Sequence, residues 1–254
     1  MTGLGFDDHA AEVVRQTELL VSCADGADPA TPVPTTPGWD LARLLHHVGS
    51  GHRRVEEVVR TRATEPPAGE PPRVPADEHP ADWGTWLVEG ARELADALVE
   101  AGPDAELWTV VPGGRTAFWA RRAAHETLVH RADAALALGR PFEVPAGLAV
   151  DALDEWLELA SLPEVFELQP ARRELLGPGR TLHLHATDVR AEWLVDLTGD
   201  ALTWRHAHEE AAVAVRGPAA DLLLVVYGRE APDRVDVRGD RDLLDFLLPR
   251  FSFG

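Results

Sequence analysis

The sequence predicts an α+β protein in two parts, a four-helix bundle followed by a small α+β domain. Three observations carry this reading. Four stretches in the first two-thirds of the 254 residues place apolar side chains at helical spacing. A proline-rich run at 65–80, "EPPAGEPPRVPADEHP", can be neither helix nor strand, and its length suits the one long crossover of such a bundle. After "LQPARRELLGPGR" the spacing changes from helical to strict alternation, which marks a second domain.

The four helices are predicted to run from about Asp7 to Cys23, Asp40 to Ala63, Ala81 to Ala101 and Thr116 to Gly139. In the second, "TTPGWD" breaks the chain, Asp40 can cap, and Leu41, Leu44, Leu45, Val48, Val55 and Val59 recur on one stripe. A fifth helix, roughly Ala146 to Ser161, is expected to close a first domain spanning 1–164. The second domain is expected over 178–254. There "TLHLHATD" alternates, "AEWLVDLTGDALTWRHA" reads as two strands around a Gly-Asp turn, and "AAVAVRG" and "VDVRGD" read as short strands. "PAADLLLVVYGR" and "DRDLLDFLLPRF" have helical length and acidic starts, so the sheet is expected to be largely antiparallel with two helices.

Composition narrows the chemistry. A formal charge of −19 disfavours phosphate backbones and anionic lipid, so neither nucleic acid nor membrane is an expected partner. All 24 basic residues are Arg. With no Lys, Schiff-base catalysis and Walker-type phosphate loops are excluded. Cys23 is the only cysteine, which removes disulfide frameworks and cysteine-cluster metal sites and fits a reducing, cytoplasmic setting. The start of the chain carries acidic residues where a signal peptide would be positive, and no apolar run is long enough to span a bilayer. None of the four serines lies in a Gly-x-Ser-x-Gly turn. Histidines and carboxylates remain.

"AHETLVHRAD", residues 124–133, resembles a zinc-protease signature with its second His one residue late. On a regular helix His125 and His130 point about 140° apart and cannot grip one ion. Glu126 and His130 are four apart, only about 40° round the helix, and converge. Their face also carries Trp119, Ala123, Ala134 and Ala137, so it is expected to look inward onto a lining of small side chains, with Trp119 at a pocket wall. A third donor should come from a facing helix, where "LLHHVGSGH" offers three histidines. His46 falls with Arg53, Glu57 and Arg60 on the polar side and reads as solvated. His47 and His52 both remain open, His47 flanking the apolar stripe and His52 lying in its middle.

"PGWDLARLLHHVGSGHRRVEEVV" followed by "FWARRAAHETLVHRADAALALG" resembles the actinobacterial mycothiol-dependent maleylpyruvate isomerase family, whose first part is a DinB-like metal-binding bundle. The resemblance implies His47, Glu126 and His130 as ligands of a divalent metal, most commonly zinc, leaving His52 as a pocket residue. "LHLHATDVRAEWLV" and "GPAADLLLVVYGR" are similar to the family's sterol-carrier-like carboxy-terminal domain, in which an Arg takes part in catalysis. The matching residue here is Arg229.

Two imidazoles and one carboxylate leave a divalent ion with an open position, the arrangement of catalytic sites. By resemblance the incoming ligand is the thiol of mycothiol, the cosubstrate, held as thiolate without any protein cysteine. Addition to a cis-enoyl acid, bond rotation and thiol expulsion would isomerise maleylpyruvate, whereas capture of another small electrophile would be thiol transfer. The same triad also suits a hydrolytic zinc site or a ferrous oxygenase, and a bundle without metal could be a ligand-binding or sensor module. Separately, His183 and His185, and His206 and His208, lie two apart on neighbouring strand-like runs. If those strands pair, four imidazoles could share a face, though a polar face at a domain interface is the plainer reading.

Overall fold

The computed structural model describes residues 3–69 and 83–251. The chain divides into two compact units, Thr2–Phe142 and Glu143–Gly254. The first is the helical bundle: α1 Phe6–Ala24, α2 Leu41–Thr61, α3 Trp83–Ala101 and α4 Thr116–Ala137. The expected start of the third helix at Ala81 and most of the proline-rich connection lie outside the described residues. At the head of α2 the Asp40 carboxylate accepts the Arg43 backbone N–H at 2.8 Å, satisfying one of the orphan donors of the first turn. Arg62 ends the helix in a left-handed conformation, φ +48°.

Apolar clusters of described residues hold the bundle together. Val13, Val55, Val58, Leu94, Leu98 and Ala120 belong to one. Leu20, Leu41, Leu44, Val48, Trp86 and Leu87 belong to another. Helix α4 packs on α1, α2 and α3. It is therefore buried on more than the single face expected from periodicity: His125, Thr127, His130, Arg131 and Asp133 are all withdrawn from solvent along with its alanines. Polar groups placed so must find partners within the protein, and those partners build the site below.

The second unit is the α+β domain. Its five-stranded sheet has the order β3-β2-β1-β4-β5, with β1 Thr181–Ala186, β2 Glu192–Asp196, β3 Thr203–Arg205, β4 Val213–Gly217 and β5 Asp236–Gly239. Only β1 and β4 pair in parallel, so the sheet is largely antiparallel as the alternation predicted. Leu182, Leu184, Val213 and Val215 are buried, and α7, Ala219–Val226, packs against β1 and β4. Helix α8 is Arg241–Phe251.

The boundary differs from the sequence expectation. Helix α5, Ala146–Ala160, was expected to belong to a first domain ending at 164, yet it falls in the second unit and packs on α7. Helical period shows that a helix exists but not which core receives its apolar face. Here Trp156 of α5 meets Tyr227 and Phe251, at ring-centroid distances of 6.3 and 5.1 Å. Between α5 and the sheet lie a short helix, α6 Pro163–Leu168, and a 3₁₀ turn, Pro170–Leu175. Each begins on a proline, which a first helical position tolerates because its N–H would be unpaired anyway. Among the described residues no helix is long and apolar enough to cross a membrane.

Candidate metal centre

The chain enters α2 through a tight turn. Val33 N donates to Trp39 O (3.0 Å), Thr36 N to Val33 O (3.1 Å) and Trp39 N to Thr36 O (3.0 Å). Gly38 sits in this turn at φ +83°, a left-handed value that costs glycine nothing sterically. Trp39 is thereby set just ahead of the helix cap, with His47 two turns further on. Its ring lies 4.9 Å from that of His47 and stacks at 6.1 Å on that of His130. Trp39 is the indole against these imidazoles.

Glu126 and His130 share one face of α4, as four-residue spacing requires. His130 Nε2 is 3.1 Å from Glu126 Oε1, and His47 Nε2 is 3.6 Å from the same oxygen. One nitrogen from each imidazole and one carboxylate oxygen all lie within 4.8 Å of one another. The His47 side chain is 44% exposed and that of Glu126 48%, while that of His130 is 8% exposed. The cluster is open to solvent on one side and closed on the other.

Each donor is held in place. The buried Asp133 carboxylate accepts from His130 Nδ1 at 2.9 Å, which directs Nε2 towards Glu126. Arg122 Nη2 lies 3.1 Å from Glu126 Oε2, leaving Oε1 for the imidazoles. Crowding by protein atoms opposes ionisation of Glu126, but the hydrogen bond from His130, the nearby His47 imidazole and the charge of Arg122 outweigh it and keep its pKa well below the carboxylate range. Burial likewise opposes the charge on His130, yet its bonds to Asp133 and Glu126 prevail and push its pKa up to about 9. A proton thus sits where a divalent cation would bind, and the donor set of two imidazoles and one carboxylate is one that zinc accepts. Asp133, missed in the sequence reading, was visible only as an i,i+3 neighbour of His130. Asp133→Asn should weaken zinc affinity by roughly 10–100-fold in competition with a chelator. Unchanged affinity would remove it from this role.

His52 lies behind the cluster, buried. Thr127 Oγ1 donates to Ala123 O (2.7 Å) and so accepts from His52 Nε2 (2.8 Å). His52 Nδ1 finds no hydrogen-bond partner among the described residues. Burial, reinforced by the charge of Arg53, lowers the His52 pKa to about 3, so the ring is neutral. The sign follows: a depressed pKa leaves His52's contribution to stability whole above pH 6.5 and erodes it as pH falls towards 3, by up to about 1.4 kcal/mol per unit. Denaturant unfolding at pH 7, 6, 5 and 4 should show a shallower acid dependence in His52→Leu. Parallel curves for variant and wild type would mean that His52 is not held neutral.

Further residues have partners of their own. Trp119 is in the bundle core, its indole N–H donating to Trp108 O at 2.7 Å, with the rings of Trp108 and Phe118 at 5.6 and 5.3 Å. His125 turns to His9, ring edge to face at 5.7 Å, on another side of α4 from His130. Arg131 donates from Nε to Gln16 Oε1 (2.8 Å) and lies over Phe142. His46 is half-buried and stacks on Trp86 rather than standing free in solvent. Burial raises the thiol pKa of half-buried Cys23, which leaves it unactivated. In the other unit Arg229 follows α7, buried, with Nη1 donating to Tyr227 O at 2.9 Å.

Residues 10–135 match the profile of the mycothiol maleylpyruvate isomerase N-terminal domain, and residues 147–246 match that family's C-terminal domain. A crystal structure of the mycothiol-dependent maleylpyruvate isomerase superposes with a TM-score of 0.59 at 16% identity, covering 93% of this chain and 95% of that one. A histidine-to-alanine mutant of that enzyme gives 0.60 at the same identity and coverage. At that identity the likeness establishes a shared fold. No curated protein matches the chain by sequence.

Proposed function

Because the chain belongs to the mycothiol maleylpyruvate isomerase family, with both of its domains in order, we propose that it is a metal-dependent thiol isomerase or transferase. The observation that carries this reading is the meeting of His47, Glu126 and His130 within 4.8 Å, open to solvent on one side. A divalent ion held there, zinc for preference, would favour the thiolate form of a small thiol such as mycothiol at neutral pH.

The chain's own residues do the rest. Asp133 accepts a hydrogen bond from His130 Nδ1–H, which holds that proton on Nδ1 and leaves the Nε2 lone pair for an ion. Arg122 draws one oxygen of Glu126 aside and presents the other. The Trp39 ring covers both imidazoles on one side and limits the directions from which water can approach. His52, neutral and committed to Thr127, supplies bulk and shape behind the triad rather than a proton. Conjugate addition of the thiolate to a cis-enoyl acid such as maleylpyruvate, rotation about the new single bond and expulsion of the thiol would give the trans isomer. Irreversible capture of another electrophile would be transfer. Arg229 enters through the family motif that it matches.

The deciding experiment is metal analysis of the purified protein, followed by a screen of mycothiol against maleylpyruvate and simple electrophiles. Thiol-dependent turnover that disappears on chelation and returns with zinc is the expected result. Bound metal with hydrolysis of esters or amides and no thiol chemistry would replace this reading with a hydrolytic one, and iron with oxygen consumption would replace it with an oxygenase. Absence of metal binding would turn the bundle into a non-catalytic module.

A further inference from the structure

A second cluster of metal-ligating side chains lies wholly within the sheet domain. Alternation along β1 sends Leu182 and Leu184 to the buried apolar side and His183 and His185 to the opposite face. The antiparallel register sets Glu192 of β2 directly across from His185, on that same face. In the same row Arg216 of β4 has Asp236 opposite it on β5. Strand β3 ends at Arg205, and past it the strict alternation is lost. His206 Nδ1 donates to Glu192 O at 2.9 Å, and its Nε2 lies 3.3 Å from Asp154 Oδ1, which also accepts the Trp193 indole N–H at 2.6 Å. Pinned there, His206 stays out of the cluster and carries the chain round so that His208 reaches back over Glu192. The group is thus three histidines and a glutamate rather than the four histidines considered from sequence.

Three imidazoles converge on one carboxylate oxygen. Glu192 Oε2 lies 2.9 Å from His183 Nε2, 3.2 Å from His185 Nδ1 and 2.5 Å from His208 Nδ1. Each carboxylate oxygen offers two lone pairs, so three donors oversubscribe it. Three imidazolium rings with centroids 5.4 to 6.0 Å apart would also repel one another with a single negative charge between them. A central dication reverses both problems, because neutral imidazoles then point lone pairs inward and the carboxylate points charge inward.

We propose that His183, His185, Glu192 and His208 form a second cation site for a divalent transition ion of borderline softness, with zinc the best fit to three nitrogens and one oxygen. Bonds of about 2.0–2.1 Å place tetrahedral donors about 3.4 Å apart. The four donors lie within 4.8 Å of one another, so closure needs only small rotations of the more exposed rings, His185 and His208. Four protein donors leave no corner for water, which makes this a structural site in contrast to the three-donor bundle site. Its effect is to tie the irregular segment 206–212 to β1.

Full-length protein, stripped with a chelator and titrated with zinc alone, should bind two ions per chain. His185→Ala with His208→Ala should bind one, and so should His47→Ala with Glu126→Gln. His185 and His208 are partly and largely exposed, so their loss leaves the core intact, which circular dichroism checks. If stoichiometry is the same with and without His185 and His208, the sheet site is refuted. If the wild type binds one ion and the His185/His208 variant none, the sheet site stands and the bundle site falls. Hydrogen exchange of unsubstituted protein gives a reading independent of any variant: zinc should slow exchange in 206–212 at least tenfold, and an unchanged rate there overturns the tether.

Discussion

Alanine at position 47 is expected to empty the bundle site of divalent metal and to lower thiol-dependent kcat/KM by about a thousandfold or more, with the fold intact. The two halves of that expectation have separate causes. His47 is nearly half exposed, so truncating it strands no buried partner and removes little packing. It is, however, the one donor of the three contributed by α2, and Glu126 and His130 alone are a pair on one helix with too few ligands to retain an ion against a chelator. The lost charge stabilisation is worth several kcal/mol, about 4 for a thousandfold. His130→Ala makes the useful contrast, because it also removes the imidazole that bonds the fully buried Asp133 carboxylate and should therefore lower stability as well as metal content. Metal content, kinetics and thermal unfolding of both variants, measured in the His185→Ala/His208→Ala background so that only bundle metal is counted, separate the effects. A His47→Ala protein that keeps its bundle metal would end the triad assignment.

Gly49→Ala should destabilise the protein by about 3 kcal/mol or more, although alanine is favoured over glycine in a helix by about 1 kcal/mol. Packing overrides propensity here. A Cβ built on Gly49 would stand 2.0 Å from Trp86 Cζ3 and 2.6 Å from its Cη2, far inside van der Waals contact. The indole has nowhere to go: His46 stacks on it, and the Arg53 guanidinium lies over it at 4.1 Å while donating to the Trp86 carbonyl at 2.9 Å. The missing methyl is what lets α2 and α3 approach. Because His47 lies two residues away on the same helix, the variant should also weaken zinc binding, as any displacement of α2 moves one donor relative to two on α4. Denaturant unfolding measures the first effect and zinc competition the second. Stability equal to or above wild type would show that Trp86 can repack freely.

Much of this was legible because it is local. Glu126 and His130 could be paired from their spacing, since four residues on a helix fix both angle and rise. The strands of the second domain could be read from alternation for the same reason, and the class, a helical bundle followed by a small α+β domain, followed from the change of period. Trp39 was visible as part of a Pro-Gly-Trp turn, yet its contact with His130 depends on how α2 and α4 pack. Trp119 lay on the same periodic face as Glu126, but α4 is enclosed by three helices, and the face alone did not say that its indole N–H would go to Trp108 O. Helix α5 was seen as a helix and assigned to the wrong neighbour, because an apolar stripe does not name the surface that covers it.

Residue order and chemistry alone determined which side chains could cooperate within a helix turn or a strand pair, and which chemistries a chain without lysine and with one cysteine could not perform. Tertiary packing decided what crosses between elements: that His47 rather than His52 meets the α4 pair, that Asp133 orients His130, and that Glu192 rather than His206 joins His183, His185 and His208. The physical reason is one of range. Backbone geometry sets positions a few residues apart, whereas contacts between distant segments are chosen by the burial of apolar faces and the pairing of buried polar groups, which depend on the whole fold.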